Sequence, residues 1–342
     1  MMRCIELAKK GFGKVSPNPM VGCVIVHENK IIGEGYHMEY GAFHAEINAL
    51  NSVKDKSLLK EASMYVSLEP CSHYGKTPPC SLAIIDAKIP RLFVAQTDPN
   101  PEVNGKGVRL LEEAGILVES GICEQEAKML NKRFNTFHSN KRPYIILKWA
   151  ETKDGFVDLI DRPEHEALKI SSEQSNDRVQ MMRATEDAFL VGYNTARQDN
   201  PRLSARKFKT SQALRVLLDP KLDLDRSYHL MDGSIPTIVF NGQKNAKENR
   251  IQYVQLDFEQ DKWVNPMLES LYNEGIQSLV VEGGPKTHRK FIEHNLWDEY
   301  LCFKASFEIH SGIPAVEKPA TKKRTQLNSG KDILEIGYNY SL

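Results

Sequence analysis

The chain has 342 residues, and its 45 Lys and Arg balance 45 Asp and Glu to a formal net charge of zero. Hydrophobic residues at 41% and charged residues at 26% are ordinary globular usage, which sets aside collagen-like and disordered chains. The length exceeds the ~100–200 residues of one domain, six cysteines are too few for a disulfide scaffold, and no apolar run reaches the ~18 residues of a membrane span.

The elements alternate along the chain. Val21–Val26 and Lys30–Gly35 read as a hairpin turned at His27-Glu28-Asn29, and a helix is expected across Ala45–Leu50. A strand at Ser63–Leu68, a helix from Cys80 to Ala87, a strand at Leu92–Ala95 and a closing amphipathic helix at Cys123–His138 follow. Ser139-Asn140-Lys141-Arg142-Pro143 reads as a linker. Beyond it come strands at Tyr144–Lys148, Ala188–Val191, Leu214–Leu218, Pro236–Phe240 and Gln277–Val281, with helices at Ser172–Arg183 and near Asn265–Asn273 and Pro285–Glu293. Strands alternating with helices predict layered sheets covered by helices. Two α/β domains are expected, 1–142 and 143–342.

In the first half, His44-Ala45-Glu46 is followed by Pro70-Cys71 and then Pro78-Pro79-Cys80. One imidazole and two thiolates make a three-ligand zinc set whose fourth position an enzyme fills with water. Zinc brings that water's pKa towards ~7, and Glu46 is of the right type to move its proton to a leaving amine. Cys80 is expected to open a helix, where free N–H groups favour a thiolate. A structural zinc site would want a fourth protein ligand, and His73, two residues from Cys71, would strain a tetrahedral closure. The other cysteines, Cys4, Cys23, Cys123 and Cys302, read as packing residues.

This His-x-Glu with a later Pro-Cys and second Cys resembles the zinc-dependent nucleobase deaminases. The Cys71–Cys80 loop, Ser16-Pro17-Asn18-Pro19-Met20-Val21-Gly22 and Asp98–Gly107 are similar to the pyrimidine deaminases of riboflavin biosynthesis. The resemblance implies a cytidine-deaminase-like α/β/α fold for the first domain. It also implies that Asn18 holds the ribose or base edge of the substrate, and that His73, Lys76 and Thr77 sit near its phosphate.

The second half has no G-x-G-x-x-G, but Ser278-Leu279-Val280-Val281-Glu282-Gly283-Gly284-Pro285 runs from an apolar strand through two glycines into a helix. Such a turn lets backbone approach a ligand and offers N–H groups to a phosphate. With Met182-Arg183-Ala184 and the stretch Val191–Arg206, it resembles the reductase fused to this deaminase in bifunctional enzymes. That resemblance implies a dihydrofolate-reductase-like α/β fold using NADPH, with Ala150, Lys169, Thr195, Asp199, Gly283 and Gly284 at the cofactor. Arg183, Leu203, Arg206 and Glu282 would touch the substrate, the two arginines at its phosphate, and Lys148 would add a phosphate or ribose contact. The chain departs from the family at Thr152-Lys153, at Ala167, where a serine is usual, and at Lys169, where a tryptophan is usual.

The expectation is therefore a cytoplasmic, homo-oligomeric, bifunctional enzyme using Zn2+ and NADPH on a small phosphorylated pyrimidine. Residues 1–142 hold 18 basic and 16 acidic side chains, and residues 143–342 hold 27 and 29. This balance argues against a nucleic-acid substrate, and no membrane contact is expected. The competing reading makes 143–342 a non-catalytic binding or assembly module.

Overall fold

The fold is described from a computed structural model over residues 1–74, 78–101, 103–208, 212–259 and 262–339. It divides into two compact units, Met1–Lys141 and Arg142–Leu342.

In the first unit the order is α1 (Met2–Ala8), β1 (Gly22–His27), β2 (Lys30–Tyr36), α2 (Ala45–Ser52), β3 (Ser63–Val66), α3 (Cys80–Asp86), β4 (Arg91–Val94), α4 (Lys106–Glu113), β5 (Leu117–Ser120), α5 (Glu124–Leu130) and α6 (Lys132–Asn140). The sheet runs β2-β1-β3-β4-β5, antiparallel from β2 to β3 and parallel from β3 to β5. Glu28 and Asn29 both take positive φ, as the tight hairpin turn demands. Ile25, Met64, Val66, Leu92 and Val94 form the core with Ala45 and Ala49 of α2 and Ile84 of α3. A Cβ on Gly35 would stand 2.3 Å from the Ala49 nitrogen and 2.4 Å from the Ala45 oxygen. Glycine there lets α2 lie directly on β2, which fixes where α2 presents its first turn.

The expected closing helix is two helices. Asn131 breaks it at φ −103° and ψ 29°, and its side-chain amide pairs with both backbone groups of Met20, at 2.9 Å each way. The expected linker is shorter than its polar composition suggested. Helix α6 continues through Asn140, Lys141 turns left-handed at φ 52°, and Pro143 precedes the next strand, where a helix cannot continue. The edge strand β5 is almost entirely exposed or half-buried, so it carries no alternation to read.

The second unit contains β6 (Tyr144–Glu151), β7 (Phe156–Asp158), α7 (Glu173–Thr185), β8 (Ala188–Gly192), α8 (Tyr193–Asp199), β9 (Leu214–Leu218), β10 (Thr237–Asn241), β11 (Ala246–Glu248) and β12 (Ile251–Gln255). Then come α9 (Val264–Asn273), β13 (Ser278–Val281), α10 (Pro285–Glu293), β14 (Glu299–Lys304), β15 (Ile313–Pro314), β16 (Lys323–Ser329) and β17 (Asp332–Tyr338). The large sheet runs β11-β12-β10-β9-β8-β13-β6-β14-β17-β16, with β7 and β15 pairing separately. It is parallel from β12 to β14, with antiparallel strands at both flanks. Strands buried on both faces read as continuous apolar runs, and Leu279-Val280-Val281 is one. One face packs on Val264, Met267 and Leu271 of α9 and Phe291 of α10. The other packs on Val179 of α7 and on Leu203, Ala213, Leu224 and Leu230. Strand β16 is polar along most of its length and owes its conformation to pairing with β17. Among the described residues, no helix is long and apolar enough to cross a membrane.

Candidate active sites

Three turns of the first unit converge. His44 is the N-cap of α2, Cys71 lies in the loop after β3, and Cys80 is the first residue of α3 behind Pro79. His44 Nδ1 stands 3.3 Å from Cys80 Sγ and 3.6 Å from Cys71 Sγ, and the three ligand atoms lie within 4.8 Å of one another. Bonds of 2.0–2.3 Å to a tetrahedral zinc imply ligand separations of roughly 3.3–3.8 Å, so the donor set fits the ion. The Cys80 N–H donates to Cys71 Sγ at 3.3 Å. The Cys71 thiol is held down to about 4, first by a hydrogen bond with Cys80 and then, against burial, by His44. Glu46, in the first turn of α2, is buried, and its Oε2 has no hydrogen-bond partner. Burial and the neighbouring Cys71 push its carboxyl up to about 7. A buried acceptor left unpaired is costly.

Beside this cluster, Asn18 lies 3.1 Å through Nδ2 from Nε2 of the buried His37, whose Nδ1 is 3.1 Å from the Phe43 oxygen. The Asn18 amide donates to Nε2, so Nδ1 carries the proton and gives it to that carbonyl. Burial lowers the pKa of His37 and keeps the ring neutral. Glu69, next to the Pro70-Cys71 turn, accepts backbone N–H groups from Asp98, Gly105, Gly107 and Val108 at 2.9–3.2 Å. It thereby clamps the Asp98–Gly107 loop, and a Cβ on Gly107 would stand 2.0 Å from the Pro70 oxygen. His73 is exposed and outside the three-residue cluster. Lys76 and Thr77 lie outside the described residues. His37 and Glu69 carry no sequence signal of their own, because their partners, the Asn18 side chain and Phe43 oxygen for His37 and four backbone N–H groups for Glu69, are brought close only by folding.

In the second unit a cavity of about 1580 Å³ opens at the carboxyl ends of β6, β8, β9 and β13, where open parallel sheets place ligands. Its wall includes Lys148, Ala150, Lys169, Arg183, Thr195, Asp199, Arg206, Glu282, Gly283 and Gly284. Helices α8 and α10 begin there, at Gly192 and Gly284. A Cβ on Gly283 would press on Thr287 Cβ at 2.7 Å. The Leu203 side chain is instead buried in the core, so any ligand contact from it runs through its backbone.

Glu282 sits between two cations, with Arg183 Nη2 at 2.9 Å and Lys148 Nζ at 3.4 Å. Burial pushes its carboxyl up, but the charges of Arg183 and Lys148 prevail and hold it at about 2. Lys148 is thus a half-buried partner of Glu282 and not a strand-end lysine in solvent. Asp199 is joined to Arg162, which also grips Asp158 with two bonds of 2.7 Å. Arg162 is a wall residue that the motif comparison passed over, since only the tertiary contact marks it.

Residues 143–329 match the family model of the RibD C-terminal domain, and residues 1–96 match the cytidine and deoxycytidylate deaminase zinc-binding region. The chain is 38% identical over 346 residues to the riboflavin biosynthesis protein RibD of Aquifex aeolicus, covering 98% of this chain and 96% of that protein. It is 40% identical over 307 residues to RibD of Bacillus amyloliquefaciens, covering 87% and 81%. Among solved structures, it superposes on Acinetobacter baumannii RibD, form 1, with a TM-score of 0.86 at 30% identity, over 98% of this chain and 97% of that one. The Thermotoga maritima diaminohydroxyphosphoribosylaminopyrimidine deaminase/5-amino-6-(5-phosphoribosylamino)uracil reductase gives 0.84 at 34% identity, over 99% and 97%.

Proposed function

The chain belongs to the RibD family of bifunctional riboflavin-biosynthesis deaminase/reductases, and from that premise we propose which residues carry its two reactions and on what substrates. It is a hydrolase and an oxidoreductase in one chain, using zinc and NADPH. The reading of the second half as a mere binding module gives way to the reductase-domain match.

The substrate of the first unit is a diaminopyrimidine carrying a phosphoribosylamino chain, and the leaving group is ammonia. His44, Cys71 and Cys80 hold zinc, which when bound makes hydroxide available near neutral pH. Glu46 takes the proton of the attacking water on its unpaired Oε2 and returns it to the departing amine. Asn18, held by His37, orients the pyrimidine or its ribose. His73, with Lys76 and Thr77, receives the phosphate. The observation that carries this reading is the convergence of one imidazole and two thiols beside a buried, unpartnered carboxylate.

The second unit takes the resulting aminouracil phosphate and reduces its ribosyl chain. NADPH supplies the hydride, and the protein binds and orients the reactants. The Gly283-Gly284 turn and the start of α10 offer N–H groups to cofactor phosphates, with Ala150, Lys169, Thr195 and Asp199 along the cofactor. Arg183 and Arg206 grip the substrate phosphate, Leu203 contacts it through backbone, and Lys148 and Glu282 face its ribosyl chain. A homo-oligomer working in the cytoplasm completes the proposal, and light scattering on the purified chain tests the assembly. The decisive experiment assays ammonia release and NADPH oxidation separately, each on its own substrate, after metal analysis of the purified protein. One zinc per chain and both activities are expected. A metal-free chain with full ammonia release would overturn the assignment.

A further inference from the structure

One wall of the reductase cleft has no regular secondary structure. Between Asp158, which ends β7, and Glu173, which opens α7, the chain forms neither helix nor strand. Leu159, Ile160, Arg162, Ala167 and Lys169 of this stretch nevertheless line the cavity. A segment without a helix or a ladder has no backbone pattern to hold it, so its place depends on the individual contacts that fasten it.

Arg162 is the main fastening. Its side chain is only 5% exposed. Nε and Nη2 donate to the two oxygens of Asp158 at 2.7 Å each, a fork that fixes direction as well as charge. Nη2 also donates to Asp199 Oδ1, and Nη1 donates to the Glu166 carbonyl oxygen at 2.6 Å. One guanidinium thus joins the end of β7, the end of α8 and the middle of the segment. Helix α8 holds the segment in return. Gln198 Nε2 donates to the Arg162 and Pro163 oxygens at 2.8 and 3.3 Å, and the His165 N–H donates to the Gln198 oxygen at 2.7 Å.

Two carboxylates share this one cation. Burial pushes the Asp199 carboxyl up, Asp158 adds to that, and the hydrogen bond and charge of Arg162 work against both. Asp199 follows Thr195 by one helical turn, so the two share a face of α8, and both line the cleft. Without Arg162 the Asp199 side chain would lose the contact that sets its rotamer. Asp158 and Asp199 would also be left as an uncompensated pair of like charges, beside a cofactor that itself carries phosphates.

We propose that Arg162 is a positioning residue for the reductase cofactor, acting through Asp199, whose carboxylate it fixes while it seats the 159–170 wall on α8; this rests on the cofactor role proposed for Asp199. The test is steady-state NADPH oxidation on the aminouracil phosphate by the full chain. The variants are Arg162→Met, Arg162→Lys, Asp199→Asn and the double variant Arg162→Met/Asp199→Asn. In Arg162→Met the KM for NADPH should rise about tenfold, as the loss of a charge-assisted contact implies. The KM for the aminouracil phosphate and kcat at saturating NADPH should stay within about threefold of the parent, the mark of lost binding in place of lost chemistry. Arg162→Lys keeps the charge and loses the fork, so it should fall between parent and Arg162→Met. The double variant should be no worse than the weaker single one, because Arg162 has nothing left to fix once the carboxylate is gone. A purely structural arginine would lower kcat with the folded fraction and leave both KM values alone, and that result overturns the proposal. So do losses that simply multiply in the double variant, since Arg162 would then act without Asp199. A raised KM for NADPH in Asp199→Asn with parent values in both Arg162 variants overturns this inference alone. An unchanged KM in Asp199→Asn removes the cofactor role of Asp199, and the inference falls with it. Where Arg162→Met fails to fold, Arg162→Lys, alone and combined with Asp199→Asn, decides on the same terms.

Discussion

The two units build their sites from different raw material. In the first, the metal-ligand set and Glu46 lie between positions 44 and 80, each at the start of a helix or in the turn before one. In the second, the cleft gathers residues from Lys148 to Val316, most of them carried to one edge by the ends of four parallel strands. The electrostatics differ in the same sense. Glu46 is left without a partner for one of its oxygens, a state suited to holding a proton in transit. Glu282 and Asp199 are already locked to Arg183, Lys148 and Arg162, a state suited to holding a ligand still. In the roles proposed for them, one site is arranged for proton transfer and the other for positioning, which is what a hydrolase and a cofactor-dependent reductase respectively require.

The largest effect that would test this contrast is Cys71→Ser. Metal analysis should find the zinc gone and ammonia release abolished, with NADPH oxidation on the aminouracil phosphate kept. Next is Glu46→Gln, which keeps the shape and removes the base. Ammonia release should fall by about 100–10,000-fold while reduction stays near the parent rate. Loss of both reactions in a folded Glu46→Gln protein would mean a shared site in place of two.

The third probe acts on the second unit. Breaking a buried ion pair typically costs ~3–5 kcal/mol, and Arg183→Met should cost somewhat less because Lys148 remains beside Glu282. All three tryptophans, Trp149, Trp263 and Trp297, lie in that unit, so fluorescence-monitored urea unfolding reads it alone. The same ion triad gives a pH signature. The Glu282 carboxyl is at about 2 in the fold against an ordinary value of 4.5. Its contribution is therefore fully present above about pH 4.5 and is lost as the pH falls towards 2. The groups that bear on it are Arg183, Lys148 and the buried His288, whose own pKa burial lowers to about 4. Arg183→Met should raise the pH at which tryptophan fluorescence reports acid unfolding.

Smaller effects return to the first unit. Gly35→Ala puts a methyl into the backbone of α2, and overpacking of this kind costs typically ~1–3 kcal/mol. Because α2 carries His44 and Glu46, ammonia release should drop alongside stability, measured as kcat against the unfolding midpoint. The smallest change is Asn131→Ala, which removes the paired amide contact with Met20. It should cost about 1–2 kcal/mol in the first unit and leave NADPH oxidation untouched.

By itself, the sequence determined the class of the fold and the types of chemistry. Strand runs such as Val21–Val26 and Leu279–Val281 declare themselves by local composition, and His44, Glu46, Cys71 and Cys80 by the chemistry of their side chains, since few residue types can hold zinc or move a proton beside it. What the sequence left undecided depends on partners far apart along the chain. The break at Asn131 answers to Met20, 111 residues away. The Glu69 clamp answers to four backbone N–H groups some 30 to 40 positions on. Arg162 finds Asp199, and Arg183 finds Glu282, only because β7, α7, α8 and the turn after β13 end at one cleft. A hydrophobic period states which face of an element is buried, but not which donor will meet which acceptor there. That choice belongs to strand order and register, and the tertiary structure alone made it.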